Sequence, residues 1–335
     1  MSDSVSNSKV NVMSGVRVTG ELHIGNYWGA IRNWLELQDK YQCFFGIMDW
    51  HGLTTAYKRS DEILPLMREM YAEIVAWGID TDKTTLFIQS QVPEHLELFM
   101  IFANITPMGW LERVPTWKDA EEEARQSDTH NLGRFAYPVL QAADIAIHEG
   151  VLVPVGHDQV AHLELSREII RRFNHIYKAK LKEPKPLLTS TPTLVGLDGR
   201  KMSKSYANTI LLTEKDEKTL KKKVNMMLTD PQRARRENPG NPEVCPVYSF
   251  HKLYSNIEEQ NWVVEGCTTA GIGCGDCKAK LAFNLNAKTE GPRQKKAELM
   301  SKPDDLNRLI KQNCEKTRQS AQKTLETVRH HMKWL

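Results

Sequence analysis

Val10-Asn11-Val12-Met13-Ser14-Gly15-Val16-Arg17-Val18-Thr19-Gly20-Glu21-Leu22-His23-Ile24-Gly25-Asn26 is the stretch that decides the fold. It opens with an apolar run, Val10 to Met13, that predicts a strand. It then passes through a glycine-containing turn into a helix, because Tyr27, Ala30, Ile31, Trp34 and Leu35 recur at helical spacing. Strand, turn and helix in that order is the unit of a parallel sheet covered by helices. The unit recurs. A strand over 43–48 leads to a helix starting near Ser60 and closed by Gly78, and then to a strand over 85–89. Further on come an apolar helix over 137–148, the run 151–155 and a helix over 158–173. The alternation predicts an α/β fold: a Rossmann-like doubly wound parallel sheet with a C-terminal helical domain.

Residues 116–132 are acidic and polar, which suits a mobile crossover or lid. The stretch 174–193, with Pro184, Pro186 and Pro192, reads as an irregular connection. Beyond Tyr206 strand signals vanish, Thr213 and Asp216 at capping-box spacing open a basic helix, and Pro303 introduces a last long helix. The expected organisation is a disordered polar tail over 1–8, a nucleotide-binding domain over 9–205 and a helical domain over 206–335. A length of 335 residues fits about two domains, and 40% apolar with 26% charged residues excludes disorder as the main state. A net charge of +3 requires any nucleic-acid partner to meet a local basic face. Lys221-Lys222-Lys223 with Arg233, Arg235 and Arg236 could supply one, although charge runs are usually solvated faces. The Ser-rich start lacks a secretory apolar core and no apolar run reaches membrane-spanning length, so the expectation is a soluble, cytoplasmic protein with no membrane partner.

Three segments carry chemistry. Thr19 to Asn26 lies between strand and helix, where backbone N–H groups at the helix start can face an anion such as the phosphates of ATP. Lys201-Met202-Ser203-Lys204-Ser205 follows the turn-prone Asp198-Gly199-Arg200, and its cations can neutralise the charge that develops during phosphoryl transfer. Tyr137, Gln141 and Asp144 share one helix face. A carboxylate in an otherwise apolar helix needs a donor, and an indole N–H or a phenol hydroxyl would serve. The plainer reading is a surface Asp144 paired with Arg134 or a lysine. Val153 to Gln159 is a strand end, a Gly turn and a helix start, where doubly wound sheets bind ligands.

A His-x-Gly-Asn turn at the first strand, followed about 180 residues later by Lys-Met-Ser-Lys-Ser, resembles the two signatures of class I aminoacyl-tRNA synthetases. With the Tyr137–Asp144 helix and the Val153–Gln159 segment, the chain is similar to the tryptophanyl-tRNA synthetases from Ser14 to the final helix. That resemblance implies that Asp144 takes the indole N–H, with Gly15, Tyr137, Gln141, Val153, Val155 and Gln159 around the L-tryptophan. It implies ATP, with Mg2+, against Arg17, Val18, Thr19, His23, Gly25, Asn26, Gly156, His157, Asp158 and Lys201 to Ser205, with His23, Asn26, Lys201 and Lys204 as the catalytic set. The partner would be tRNA(Trp) rather than DNA, and the assembly a homodimer. Asn26 stands where the class signature ends in His, Arg17-Val18 where Gln-Pro is frequent, and Lys118-Asp119-Ala120 lacks a second lysine often found there. A Tyr-x3-Gln-x2-Asp helix also occurs in tyrosyl-tRNA synthetases, and a catalytically silent relative would keep the same fold.

Cys245-x21-Cys267-x6-Cys274-x2-Cys277 is a metal-type spacing, with glycines 266, 271, 273 and 275 to let the backbone curl and offer N–H groups to sulfur. Four thiolates suit zinc or a 4Fe-4S cluster alike. A subset of tryptophanyl-tRNA synthetases carries a 4Fe-4S cluster on this pattern with one more residue in the first gap, a difference that a surface loop absorbs. The resemblance favours the cluster, in a structural role.

Overall fold

The computed structural model describes residues 9–114, 117, 129–156, 159–188 and 194–334. Contacts gather the chain into two compact units, one made of 1–19, 32–190 and 302–335, the other of 20–31 and 191–301.

The first unit is built on five strands, β1 Asn11–Arg17, β2 Gln42–Met48, β3 Thr85–Ile88, β4 Leu152–Val155 and β5 Lys185–Leu188. They pair in the order β3-β2-β1-β4-β5, all parallel. β2 and β3 are buried nearly throughout, as expected of a parallel sheet covered on both faces. The order reverses at β1, so a crevice is expected beyond the carboxyl ends of β1 and its neighbours. The helices of this unit are α1 Arg32–Leu37, α2 Asp49–Ala56, α3 Ser60–Ala76, α4 Glu94–Ile105, α5 Met108–Glu112, α6 Leu132–Ile147 and α7 Val160–Tyr177. Asn131 caps α6 by accepting from the Arg134 N–H, and Gly78 at φ +111° turns the chain after α3.

The edge strand β5 falls inside the stretch expected to be irregular. Pro186 cannot donate to a ladder, but β5 pairs only with β4, and an edge strand tolerates a proline. The last helix, Pro303–His331, also departs from expectation, because it belongs to the sheet-bearing unit. Its Cys314 Sγ accepts from the Ile88 N–H at 3.4 Å, and Arg318 and Arg329 pair with Glu94 and Glu97. A single cut near residue 206 therefore does not describe the contacts. The lid expected over 116–132 lies largely outside the described residues.

The second unit holds α8 Glu217–Met226, α9 Pro246–Tyr254, α10 Ile257–Thr268 and α11 Cys274–Ser301. α8 begins one turn later than the Thr213 reading, with Asp216 as its cap accepting from the Thr219 N–H at 2.7 Å. One apolar core joins Val224, Phe250, Leu281 and Leu285 to Ile24, Met202 and Ile210. No helix among the described residues is long and apolar enough to cross a membrane.

Candidate active site

A cavity of about 440 Å³ opens in the first unit, walled by β1, β2, α2 and α6. Its lining includes Gly15, Tyr137, Gln141, Asp144, Val153 and Gln159, so six of the seven expected amino-acid contacts face one space. Val155 does not line it and is buried in the core. Gly15 pairs with Gly46, and a Cβ on Gly15 would lie 2.5 Å from the Met48 Cε, so glycine keeps this wall open.

Asp144 is 3% exposed, which removes the reading of a surface carboxylate paired with Arg134. Its Oδ1 accepts from Gln89 Nε2 at 2.7 Å and from His95 Nδ1 at 2.7 Å, and its Oδ2 faces His51 Nε2 at 2.8 Å. Burial alone would raise its pKa. The hydrogen bonds from His51 and His95 overcome that and hold it well below the usual carboxylate range. A carboxylate offers about four acceptor sites, and the three partners leave one on Oδ2. His51 lines the cavity while Gln89 and His95 do not, so Oδ2 is the oxygen on the cavity side. Behind this hub, His148 Nε2 lies 3.1 Å from His95 Nε2. Burial, and then His95, push the His148 pKa well down, so it is a neutral ring. Sequence reading missed His51, Gln89, His95 and His148, because they sit on separate segments and only the fold converges them on Asp144. The available signal was the place of His51 and Gln89 just past the carboxyl ends of β2 and β3 and of His148 just beyond α6, whereas His95 lies in the first turn of α4.

Arg17, expected at ATP, lines this same cavity and donates from Nη2 to Thr55 Oγ1 at 3.0 Å. Val18 is 1% exposed and packed in the core, so its side chain is withdrawn from any ligand. Thr19 is exposed at the unit's edge, and Gly156 accepts from the Gln159 N–H. His157 and Asp158 lie outside the described residues.

The second unit carries both signature segments. His23 caps a short turn, Ile24–Asn26, and its N–H donates to Asn26 Oδ1 at 3.0 Å. A Cβ on Gly25 would stand 2.9 Å from the His23 ring, so glycine lets that ring fold over the turn. Lys204 Nζ donates to the Gly20 carbonyl at 2.7 Å, and Met202 shares the core with Ile24, which anchors the lysine loop beside the turn. Asn208 organises that loop: its Oδ1 accepts from the Ser203 N–H and its Nδ2 donates to the Lys201 carbonyl. Lys201 is exposed, only the backbone of Ser205 is described, and Arg200 is paired with Asp198 rather than available as a third cation. Burial, and then Lys204, lower the His23 pKa to about 4, so the ring is neutral at pH 7. Its Nδ1 is buried without a hydrogen-bond partner among the described residues.

An NMR pH titration should place the His23 midpoint near 4. The unfolded ring, near 6.5, binds the proton first, so this group's effect on stability is unfavourable as pH falls from about 6.5 to 4. A midpoint near 6.5 would show instead that the ring is solvated.

Residues 5–289 match the profile of the tRNA synthetases class I (W and Y). The chain belongs to this family. The tryptophan–tRNA ligase of Thermotoga maritima is 45% identical over 96% of this chain and 99% of its own length, and that of Aquifex aeolicus 40% identical over the same shares. Among solved structures, the tryptophanyl-tRNA synthetase of Campylobacter jejuni complexed with ADP and tryptophan is 33% identical. It covers 96% of this chain and 99% of its own, with a TM-score of 0.88. The synthetase described here is accordingly an aminoacyl-tRNA ligase with the Rossmann-like class I fold.

The four cysteines of the synthetase line one small apolar cavity, with Arg233, Tyr248 and Ile272 among its other walls. Burial, and then the other three thiols, push the Cys277 pKa up to about 12, and burial raises Cys267 against the pull of Arg233. Arg233 Nη1 points at Cys267 Sγ from 3.8 Å, and Cys277 Sγ lies 3.4 Å from His251 Nε2. Among the described residues no group of three or more His, Cys, Asp or Glu stands at metal-holding spacing, so what the fold brings together is four thiols.

The basic face of the synthetase is smaller than the sequence suggested. Arg233 is 8% exposed beside the thiols and Lys223 pairs with Glu214 at 2.7 Å, which leaves Lys221, Lys222, Arg235 and Arg236 exposed.

Proposed function

We propose that the synthetase activates L-tryptophan with ATP and transfers it to tRNA(Trp). One observation carries the choice of amino acid: the closed end of the 440 Å³ cavity presents a buried carboxylate oxygen with an acceptor site to spare, as an indole N–H requires. In the first step a carboxylate oxygen of tryptophan attacks the α-phosphorus of ATP, the bond to the bridging oxygen breaks, and pyrophosphate leaves. In the second, a ribose hydroxyl at the tRNA terminus attacks the carbonyl carbon, and AMP leaves with the bonding pair. The protein supplies no covalent nucleophile. It aligns the reactants and stabilises developing charge through His23, Asn26, Lys201 and Lys204, and Mg2+ brought in with the nucleotide would add charge neutralisation at the phosphates. The neutral His23 ring, with its unengaged Nδ1, is suited to donate or accept a hydrogen bond at the nucleotide.

Cys245, Cys267, Cys274 and Cys277 are the donors for a 4Fe-4S cluster, with Zn2+ as the alternative at the same thiols. A set of four thiols around one cavity fits either group, and metal binding would draw them to thiolates. The group would serve as a structural tie between the segments that carry the cysteines. The reading includes a homodimer and a cytoplasmic location, both implied by the family resemblance.

Amino-acid-dependent ATP–pyrophosphate exchange is the decisive test, with much faster exchange for tryptophan than for tyrosine expected. Faster exchange with tyrosine would make the chain a tyrosyl-tRNA synthetase, and background exchange with both would favour a silent relative. About four irons per chain with visible sulfur-to-iron absorbance is the result expected at the cysteines. One zinc without colour would select the alternative.

A further inference from the structure

We propose that Arg17, with Arg134 beside it, binds the α-carboxylate of the amino acid. The inference rests on the amino-acid cavity proposed above and gives its open end a function. Arg17 closes β1 two residues after Gly15, so both lie on one face of the strand, and both line the cavity. Arg134, Tyr137, Gln141 and Asp144 follow each other at helical spacing along one face of α6 and line it as well. Ten residues separate Arg134 from Asp144, a rise of about 15 Å, which a tryptophan molecule and an arginine side chain together cover.

The charges along the cavity are sorted. Among the described lining residues Asp144 is the only carboxylate, and it stands at the end already neutralised by donors. At the other end, among the described residues, the two guanidiniums meet hydroxyls: Arg17 donates to Thr55 Oγ1, and Arg134 to Thr129 Oγ1. No carboxylate pairs with either arginine among the described residues; desolvation lowers the Arg17 pKa from its usual value against the pull of Tyr137, and Arg134 as a neighbouring cation adds to the lowering. Two like charges held together without a counter-ion favour an anion between them. The bound indole would lie towards Asp144, which turns the amino acid's own carboxylate to this end. A guanidinium grips one oxygen of that group and leaves the other to attack phosphorus.

Equilibrium dialysis with labelled ligands separates this role from others, using L-tryptophan and tryptamine, which lacks the carboxylate. Arg17→Gln should weaken tryptophan by about tenfold or more and leave tryptamine within about twofold, with Arg17→Lys recovering part of the loss. Arg134→Gln should act in the same direction and serves as the second variant should Arg17→Gln fold poorly, which circular dichroism and melting would reveal. Equal weakening of both ligands would overturn the proposal, and so would unchanged tryptophan binding with a raised KM for ATP in pyrophosphate exchange. Should the wild type bind tyrosine and not tryptophan, the proposed function fails, and the same comparison with tyrosine and tyramine still decides the role of Arg17.

Discussion

Asp144→Ala is expected to lower kcat/KM for tryptophan in pyrophosphate exchange by at least about a thousandfold, because it removes the acceptor on which recognition of the ring nitrogen rests. The loss has a second part. Three donors, on His51, Gln89 and His95, converge on this carboxylate, and alanine leaves them buried without a partner. Breaking such an arrangement from one side costs about 3 to 5 kcal/mol, so the melting temperature should fall as well. Asp144→Asn keeps the shape and one acceptor oxygen but turns an N–H2 toward one of the donors, and it should fall between wild type and alanine in both measurements. The two contributions are separable with N1-methyltryptophan, which has no ring N–H. Wild type should reject it strongly, while in the alanine variant its exchange rate should approach that of tryptophan. A variant that still discriminated strongly against the methyl derivative would place recognition elsewhere.

Lys204→Ala should depress adenylate formation by about a hundred- to a thousandfold while leaving the dissociation constant of tryptophan nearly unchanged. The amino-acid cavity belongs to the first unit, whereas Lys204 holds the Gly20 carbonyl within the second. Single-turnover kinetics with independently measured tryptophan binding test this. Equal loss in both would mean that the lysine acts by holding the protein together. The Lys204–Gly20 bond makes that a real alternative, and Lys204→Gln, which keeps a donor without the charge, should leave the rate low if charge is what matters and recover much of it if the hydrogen bond is.

Much of the sheet was legible because β2 and β3 are short apolar runs bounded by turns, the sequence look of a parallel strand buried on both faces, and β1 opens on such a run before its exposed end. β5 was not, since a proline-flanked edge strand and an irregular loop share the same composition. The face of α6 was legible for a local reason: Tyr137, Gln141 and Asp144 are neighbours through helical period alone. The histidines around Asp144 were not, because their proximity is created by strand order, which no local pattern encodes. Arg17 was assigned to the nucleotide as the family resemblance implies. At the end of β1 it lines the same cavity as Gly15 and Asp144.

The return of the last helix to the sheet sets an order of events during synthesis. Glu94 and Glu97 are made some two hundred residues before Arg318 and Arg329, the cations that pair with them. Residues 191–301 form most of the second unit and can gather as soon as they are made, since the rest of that unit, 20–31, has by then long left the ribosome. The sheet must wait, its β3 side uncovered, until the final stretch emerges. A nascent chain halted near residue 301 should therefore engage chaperones through this half, and be cut there by proteases that spare the helical half.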